Sequence, residues 1–517
     1  MSEAEIRAEV EGASEYVPGD DLVAAKRQRL LIGSDVEMAE RVARDLRKEF
    51  GEIIFDDGCF WHYTGSAWDE INETTKRRAV HLYDGATFET PAHEISNVKL
   101  GKGRVDSVLH EMRAILARPG FFGQAPAGIN CASGFIAFGA DGQPRIFPHD
   151  REHRCRHVLP GRWRSGIRAG EPPENSMLGK LLGGVFMGDA DAGEKKKLIA
   201  EVAGSAALGF ATKLRQPKAI VLKGETAENG KSQILDLIRG ILPSSAIASV
   251  TAAKVGDDRF IVQLASKLLN AADELSGSSA IASDAFKSVV TGEPVTGRDV
   301  YRSAFTFRPI AQHVFATNTL PTFAGGMDRG VQRRLLVVTF NRVIPENERI
   351  ENIGIRIGQE EADLLLAWAV AGAARLIQQH NFTVPKSSER ALRDWLFGVD
   401  PVLAWVEARV DVADAPRLGE KIVGIKSGYA HSLFRDWARQ AGFRDSTIPA
   451  VNGFVQRLQA SKSVPNIAVR HTKSGNWLTG LLILASDRDP KDDAIEEHNP
   501  LRHGGFDLNS APLQREG

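Results

Sequence analysis

The sequence predicts an α/β protein whose central part is a mostly parallel sheet. Between residues 176 and 345, short apolar runs alternate with amphipathic stretches of helical length, and this alternation is typical of strand–helix–strand units. The chain has 517 residues, which is more than one hydrophobic core usually serves. We therefore expect further domains: an α+β region before the sheet, and a smaller unit of helices and a β-ribbon after it.

Composition is that of a soluble globular protein. Hydrophobic residues make up 43% of the chain, and 65 basic against 66 acidic side chains leave a net charge of −1. A surface for nucleic acid must therefore be local. The cysteines, Cys59, Cys131 and Cys155, are too few for a disulfide scaffold and favour a reducing compartment.

Neither the first residues nor the longest apolar stretch of the sequence suggests a membrane or secretory protein. The start, MSEAEIRAEVEG, lacks the apolar core of a signal peptide. The longest apolar stretch, residues 362–377, is shorter than the roughly 18 residues that a membrane span needs. We expect a cytoplasmic protein without a membrane partner.

The N-terminal region contains both helical and strand patterns. Residues 1–28 are acidic, weakly patterned and expected to be flexible. Residues 35–50 and 104–117 have the apolar spacing of amphipathic helices. Residues 53–71 alternate aromatic and turn residues and predict a hairpin, while residues 134–150 predict two strands around an Asp-Gly turn.

The remaining elements follow from the same patterns. We expect, in order, helix 194–213, strand 218–222, a helix from 231, strand 267–275, helix 281–290, hairpin 294–308, strands 311–318 and 334–340, and helix 360–380. The predicted domains are a flexible N-terminus (1–28), an α+β domain (29–167), the sheet domain (168–385), a C-terminal domain (386–485) and a disordered tail (486–517).

The stretch KGETAENGKS, residues 223–232, predicts a phosphate-binding loop. It follows the apolar run KAIVL and precedes an amphipathic stretch, so backbone N–H groups and a helix N-terminus would face an anion. Lys231 can reach the β- and γ-phosphates of a nucleotide, and Ser232 can bind Mg²⁺. Asn229 and Gly230 suit the positive φ angles of such a turn.

One feature departs from the common form of this loop. Five residues separate Gly224 from Gly230, one more than usual, so that either Glu225 stands at the first glycine position or the loop is longer. The alternative interpretation is a surface turn. The residues expected at a nucleotide are Gly224, Glu225, Thr226, Ala227, Glu228, Asn229, Gly230, Lys231, Ser232 and Gln233.

Polar residues follow the next predicted strands. SKLLNAADELSG ends an apolar run in Asp273 and Glu274, and triphosphate hydrolysis needs one acid to orient Mg²⁺ and another to polarise water. AQHVFATNTLP ends a strand in Asn318, whose amide can hold that water. An acidic turn at a strand end is the alternative for the carboxylates.

Two arginines precede the last apolar run of the sheet region. Arg333 and Arg334 lie in DRGVQRRLLVVTF. An arginine that reaches a neighbouring subunit's γ-phosphate stabilises charge in the transition state. The alternative is a salt-bridged pair.

Taken in order, five segments resemble the superfamily-3 helicases, and most closely the phage and plasmid primase-helicase family related to poxvirus-type helicase-primases. They are GETAENGKSQILDLI, KLLNAADEL, FKSVVTGEPVTGRDVYRSAFTFRP, HVFATNTLP and DRGVQRRLLVVTF. The resemblance covers residues 176–345 and extends more weakly over the N-terminal region, which is similar to the family's pre-helicase domain. It implies an AAA+-like P-loop ATPase core.

The resemblance also implies roles for individual residues. Lys231 and Ser232 would be the Walker A pair, with ATP and Mg²⁺ as cofactors. Asp273 and Glu274 would be the Walker B pair, with Asp273 and Ser232 holding the metal. Asn318 would be the sensor-1 residue.

Further implied roles concern a neighbouring subunit and DNA. The resemblance implies a homo-oligomeric ring, a hexamer, in which an arginine finger reaches the neighbouring subunit. Arg334 is the first candidate for this finger and Arg333 the second. A hairpin over 294–308 would project into the ring channel toward single-stranded or forked DNA, the alternative being a solvated hairpin. The side chains implied there are Arg298, Tyr301 and Arg302, with Lys287 on the preceding helix facing DNA or a neighbour's nucleotide.

Fused members of the family carry a primase domain with paired metal-binding carboxylates, and residues 1–165 do not show such a pair. We therefore expect a separate primase as a partner.

Two weaker patterns remain open. His149, His153, Cys155 and His157 could suggest zinc, although no second cysteine pair accompanies them. The same segment, residues 149–168, is rich in arginine and would line a DNA path or form a solvated surface.

Residues 427–484 predict a winged helix. Residues 449–463 would be its recognition helix, and the ribbon around Ser474-Gly475-Asn476 its wing. A helical packing domain with a basic face is the alternative. The side chains expected to face DNA phosphates are Arg457, Lys462, Arg470 and Lys473.

Together with these patterns, the resemblance implies an ATP-dependent DNA helicase of a phage, prophage or plasmid in a bacterial host, which would translocate on single-stranded DNA and unwind duplex at an origin or fork. One alternative is a P-loop kinase, which would need a lid with its own arginines. Another is an origin-binding or loader ATPase that switches shape without translocating.

Overall fold

The computed structural model describes most of the chain between residues 29 and 483. The described ranges are 29–139, 141–164, 171–273, 280–298, 304–324, 326–412, 424–460, 466–472 and 475–483. Several predicted residues lie outside these ranges, namely Glu274, Tyr301, Arg302, Lys462, Lys473 and Ser474, as do the predicted termini 1–28 and 486–517.

The N-terminal region contains both helices and strands, among them the two helices that the apolar spacing predicts. Its helices are α1 (Asp35–Phe50), α2 (Glu73–His81) and α3 (Lys102–Ile115). Its strands are β1 (Ile53–Asp56), β2 (Cys59–Tyr63), β3 (Trp68–Glu70), β4 (Thr87–Glu89), β5 (Ile95–Asn97), β6 (Gly128–Cys131), β7 (Gly134–Phe138) and β8 (Pro144–Phe147). The prediction of a two-stranded hairpin over residues 53–71 misses one strand. In the structure β3 pairs with β2 and extends the sheet to three strands.

Helix α1 begins and ends where its sequence provides caps. The Ser34 side chain accepts a hydrogen bond from the Glu37 N–H, and Gly51 ends the helix at φ 76°. The apolar stripe that includes Val42 and Leu46 is buried against α3, where Val108 is also fully buried. This spacing of apolar residues is why the helix was predictable.

A five-stranded parallel sheet forms the centre of the molecule. Its strands are β9 (Ala219–Lys223), β10 (Ile247–Ala248), β11 (Leu269–Ala272), β14 (Gln312–Thr317) and β15 (Leu335–Thr339), in the order β10-β11-β14-β9-β15. All four pairings are parallel, which confirms the predicted sheet type. The pairing of Thr317 and Thr339 with Lys223 brings the carboxyl ends of three strands to one edge.

Helices cover both faces of this sheet. They are α4 (Met177–Val185), α5 (Ala192–Leu208), α6 (Lys231–Arg239), α7 (Asp258–Ile261), α8 (Ser283–Thr291), α9 (Arg329–Gln332), α10 (Ile353–Glu360) and α11 (Ala362–Gln379). Alternate residues of β9 enter different cores: Ile220 packs with the core of α5 and α11, and Val221 with that of α8. A hairpin of β12 (Val295–Gly297) and β13 (Phe305–Phe307) follows α8.

Helices α5 and α11 pack at close range. A Cβ atom at Gly372 would collide with the carbonyl oxygen of Ala200, and one at Gly204 would collide with the backbone of Ala373. The helix predicted over 194–213 ends earlier than expected, because Gly209 adopts φ 59° after Leu208. Among the described residues, no helix combines the length and apolar character that crossing a membrane requires.

The C-terminal region contains four helices and a small set of antiparallel strands within its described residues. The helices are α12 (Lys386–Val399), α13 (Pro401–Arg409), α14 (Ser427–Gln440) and α15 (Val451–Ala460), and the strands are β16 (Val410–Val412), β17 (Gly424–Lys426), β18 (Ala468–Thr472), β19 (Gly475–Thr479) and β20 (Leu481–Ile483). Trp405, Phe434 and Phe454 form its core, where the two phenylalanine rings stack at 4.8 Å. Helix α12 packs instead on the central sheet, since the Trp395 indole N–H donates to the Pro321 carbonyl at 3.0 Å.

Candidate functional site

The loop between β9 and α6 is stabilised by its own side chains. The Asn229 amide donates to the Thr226 carbonyl at 2.6 Å, and its Oδ1 accepts from the Lys231 N–H at 3.3 Å. Glu228 and Gly230 have φ angles of 63° and 80°. The expectation that Asn229 takes a positive φ is therefore wrong. Glu228 adopts that conformation, and the buried Asn229 side chain bridges the turn.

Lys231 reaches the carboxyl ends of two neighbouring strands. Its Nζ donates to the carbonyls of Thr317 at 3.1 Å and Gly224 at 3.5 Å, and to Oδ1 of Asn318. The side chain is buried, and burial lowers the pKa of its ammonium group. The structure thus brings together two of the predicted catalytic residues, Lys231 and Asn318, beside the first glycine of the loop.

Asp273 follows β11 at the same edge of the sheet and is held by an arginine that sequence reasoning missed. Arg239, the last residue of α6, donates from Nη2 to Asp273 Oδ2 at 2.9 Å and to the Ala271 carbonyl at 3.0 Å. Its Nη1 also pairs with Asp236 at 3.0 Å. No local pattern marks Arg239, because only the order of strands in the sheet places α6 beside the end of β11.

The other predicted loop residues divide into exposed and packed side chains. Ser232, at the start of α6, is exposed, and so are Thr226 and Ala227 within the loop. Glu225 is exposed and pairs with Lys223 at 3.0 Å. Gln233 accepts from the Gly354 N–H at 3.0 Å, so it joins α6 to α10.

The predicted arginine pair lies at the opposite edge of the sheet. The Arg334 carbonyl accepts from the N–H of Ala219, the first residue of β9, at 2.8 Å. Since β9 has five residues at about 3.3 Å each, roughly 15 Å separates this edge from the loop. Neither Arg333 nor Arg334 can therefore reach the loop of its own chain.

The two arginines differ in accessibility. Arg333 is exposed, whereas Arg334 is buried and donates from Nη1 to the Gly330 carbonyl at 2.7 Å. Burial, with the neighbouring charge of Arg333, lowers the pKa of Arg334. Of the pair, Arg333 is the residue whose side chain is open to another molecule, whereas Arg334, the first candidate from the resemblance, is packed within its own chain.

Lys287 lies beside the buried arginine. Its Nζ pairs with Asp284 at 2.8 Å and Asp328 at 3.1 Å, and these carboxylates raise its pKa. A Cβ atom at Gly330 would lie 3.2 Å from Lys287 Cδ and 3.6 Å from Arg334 Nη1. The residues predicted to act on a neighbour thus gather at one edge.

The predicted DNA contacts are only partly described. Arg298 is exposed at the end of β12, and its N–H donates to the Asp258 carbonyl at 3.1 Å. Arg457 on α15 lies 3.6 Å from Asp400, which caps the N-terminus of α13. It lines a cleft of about 1280 Å³ between the arginine edge and the C-terminal helices. Arg457 therefore faces this cleft, where its charge is already partly paired.

The cluster that suggested zinc does not converge. His149 contacts Asn130 at 2.9 Å, the His153 ring stacks on Phe135 at 3.9 Å, and His157 contacts the Ser266 carbonyl at 2.9 Å. Burial raises the pKa of the Cys155 thiol to about 12, which disfavours a metal-binding thiolate. Within the described ranges, no three histidine, cysteine, aspartate or glutamate side chains lie close enough together to hold a metal ion.

Two arginines of the same segment are internal. The Arg156 guanidinium lies 3.7 Å from the centre of the Phe122 ring and 4.9 Å from that of Trp61, and it pairs with Asp57. Arg154 lies 4.6 Å from the centre of the Phe121 ring. These two side chains stabilise the N-terminal unit through cation–π contacts, and both also line a small cavity of about 140 Å³.

A cavity of about 950 Å³ adjoins the loop. Gly230 and Gln233 line it on the loop side. The remainder is lined by apolar residues, including Leu181, Ile353 and Trp368, and by charged residues, including Lys180 and Arg375. A volume of this size and a mixed apolar and polar lining are typical of sites for small organic ligands.

The sequence matches a family of unknown function, DUF5906, over residues 222–334. This span begins at the end of β9 and ends at Arg334, so it contains the loop, Asp273 and Asn318. No curated protein matches the chain.

Among solved structures, the chain is similar to three apo structures of the C-terminal region of NrS-1. All three are 14% identical to it. The first covers 86% of this chain and 98% of its own, with a TM-score of 0.42. The second covers the same shares with a TM-score of 0.39, and the third covers 85% and 99% with a TM-score of 0.41.

Proposed function

We propose that this chain is a P-loop ATPase with an AAA+-like core that acts as a replicative DNA helicase of a phage, prophage or plasmid. The observation that carries the proposal is the position of the Lys231 ammonium. It lies at the carboxyl edge of a parallel sheet, between the loop and Asn318. Ligands of open α/β sheets bind at this edge.

The residues at this edge suit a magnesium nucleotide. Backbone N–H groups of a turn with two positive φ angles form a site for phosphate, and Lys231 would bind its terminal oxygens. Asp273 and the exposed Ser232 supply oxygen ligands of the kind that Mg²⁺ prefers. When bound, Mg²⁺ would neutralise charge that develops on the phosphates. Asn318 would hold the attacking water.

Hydrolysis in this arrangement requires a second copy of the chain. The exposed Arg333 lies at the far edge of the sheet from its own loop, so it can complete only the site of a neighbour. Contacts between two different faces of one chain are heterologous and generate rings when they close. A homo-oligomeric ring, such as a hexamer, is the assembly that this geometry favours.

The cavity beside Gly230 offers room for the base and ribose. Leu181 and Trp368 would cover the apolar faces of a base, while the loop holds the phosphates. For DNA, the exposed Arg298 at the hairpin is a cation suited to a phosphate of single-stranded DNA.

The test is ATP hydrolysis with and without single-stranded DNA, together with displacement of one strand of a forked duplex. We expect DNA to stimulate hydrolysis and the fork to open, and Lys231→Ala to lose both activities. Lys48→Ala serves as a control, since this lysine forms an exposed pair with Asp45 on α1. Hydrolysis without strand displacement would favour a loader ATPase, and phosphate transfer to a small substrate would favour a kinase.

A further inference from the structure

Glu228 in the loop and Arg349 after β15 form an ion pair at the candidate site. Arg349 Nη2 lies 2.5 Å from Glu228 Oε2, and its Nε donates to the Ile344 carbonyl at 2.8 Å. The Ile344 N–H in turn donates to the Glu228 carbonyl at 3.0 Å. The segment that carries Arg349 is thus fixed to the loop through both backbone and side chain.

The position of Glu228 presents an electrostatic problem for a nucleotide site. Glu228 lies three residues before Lys231, in the left-handed conformation at φ 63°. A carboxylate in a phosphate-binding turn repels phosphate, because like charges at short range disfavour each other. The Arg349 guanidinium offsets this charge in the structure.

Arg349 is also placed to contact a ligand. It lines the cavity of about 950 Å³ together with Gly230 and Gln233, and its side chain is 36% exposed. A guanidinium has five N–H donors, and the contacts of Arg349 among the described residues use Nε and Nη2. Its Nη1 donors therefore remain for another partner.

We propose that Arg349 is a nucleotide-binding residue, and that Glu228 holds its guanidinium between the loop and the cavity until the phosphate chain of a nucleoside triphosphate engages it. This inference rests on the proposed function and adds a recognition residue of the same chain to it. Arginine suits the role because its planar fork can contact phosphate and carboxylate oxygens through several hydrogen bonds at once.

The test is the affinity of the full chain for a fluorescent ATP analogue with Mg²⁺. The variants are Arg349→Ala, Arg349→Lys, Glu228→Gln and the double variant Arg349→Ala/Glu228→Gln. Arg356→Ala is the matched control, because Arg356 forms a comparable pair with Glu360 at 2.8 Å on α10. Circular dichroism and thermal unfolding verify that each variant is folded.

We expect Arg349→Ala to weaken binding about tenfold, as loss of a hydrogen-bonded charge contact does. Arg349→Lys should recover part of the loss, and Glu228→Gln should bind as tightly as the wild type or more tightly. The double variant should still bind about tenfold more weakly than Glu228→Gln. Arg356→Ala should match the wild type.

Two results would overturn the inference while leaving the proposed function intact. One is wild-type affinity in Arg349→Ala. The other is full recovery in the double variant, which would show that Arg349 only neutralises Glu228. A folded wild-type chain that binds no ATP analogue would instead remove the proposed function, and this inference with it.

Discussion

Lys231 and Asn318 are joined by a hydrogen bond from Nζ to Oδ1, although they stand 87 positions apart in the chain. The contact exists because β14 lies next to β9 in the sheet. The start of α6 and the end of β14 therefore meet at the same edge, and the proposed chemistry depends on this contact.

Replacement of Asn318 by alanine should impair turnover more than binding. The variant loses the amide that contacts Lys231 and that would orient water, so kcat should fall on the order of 100-fold while KM stays within about threefold. Steady-state ATPase kinetics measure both constants. Asn341→Ala is the control, because Asn341 also follows a sheet strand but bonds to Asp189 at 3.0 Å; equal losses in the two variants would contradict the role of Asn318.

Mixing two inactive variants should restore ATP hydrolysis. Lys231→Ala disables a subunit's own site, and Arg333→Ala disables the contribution to its neighbour. A mixed ring therefore contains interfaces with both groups intact. Hydrolysis in the mixture above the sum of the separate variants is the expected result, and its absence would place Arg333 outside the site.

Arg334→Ala should instead lower the melting temperature, since its buried guanidinium bonds to the Gly330 carbonyl.

The close packing of α5 and α11 predicts an asymmetry between two glycine substitutions. Gly372→Ala places a methyl group against the Ala200 carbonyl and should lower the free energy of unfolding by about 1–3 kcal/mol. Gly103→Ala, at an exposed position in the first turn of helix α3 with open space around it, should raise that free energy by less than about 1 kcal/mol. Chemical denaturation of both variants measures the difference. Equal effects would show that the helices can move apart.

His157 predicts a loss of stability in mild acid. Burial lowers the pKa of its imidazole from 6.5 to about 4, so the unfolded chain binds this proton at higher pH than the folded chain does. The stability that neutral His157 contributes is therefore complete above pH 6.5 and is lost as the pH falls toward 4. The change should be on the order of 3 kcal/mol.

Urea denaturation between these pH values tests this prediction. His157→Gln keeps a donor for the Ser266 carbonyl but cannot titrate, so its unfolding free energy should depend less on pH than that of the wild type. His93→Gln is the control, because the His93 side chain is 87% exposed. If the unfolding free energy of His157→Gln depended on pH as strongly as that of the wild type, titration of His157 would not be the cause of the acid sensitivity.

The predictable parts of the molecule are those that local sequence determines. The Ser34 and Gly51 caps and the apolar spacing between them determine α1. The run from Lys218 to Ser232 contains every signal of a strand, a turn and a helix start. Here the type of each element depends on near neighbours in the chain, so a pattern is sufficient to predict the strand, the turn and the helix, although the positive φ falls on Glu228 and not on Asn229.

The parts that could not be predicted depend on distant partners. Arg239 looks like an ordinary residue at a helix end, and only the parallel pairing of β11 beside β14 brings Asp273 to it. The arginines at 154 and 156 looked like a basic surface, yet they pack on aromatic rings from earlier parts of the chain. The residue type shows that these side chains are charged, but the aromatic rings on which they pack lie far away in the sequence.

Strand β9 connects the two edges of the sheet to which the proposed function assigns a role. Ala219 at its start is bonded to Arg334, and Lys223 at its end leads into the loop. In the proposed ring, a shift of the loop during hydrolysis would displace Arg333, the residue proposed to act at the next subunit's site. The displacement would pass from subunit to subunit in one direction around the ring. The order in which the subunits hydrolyse ATP would then depend on the direction of one five-residue strand.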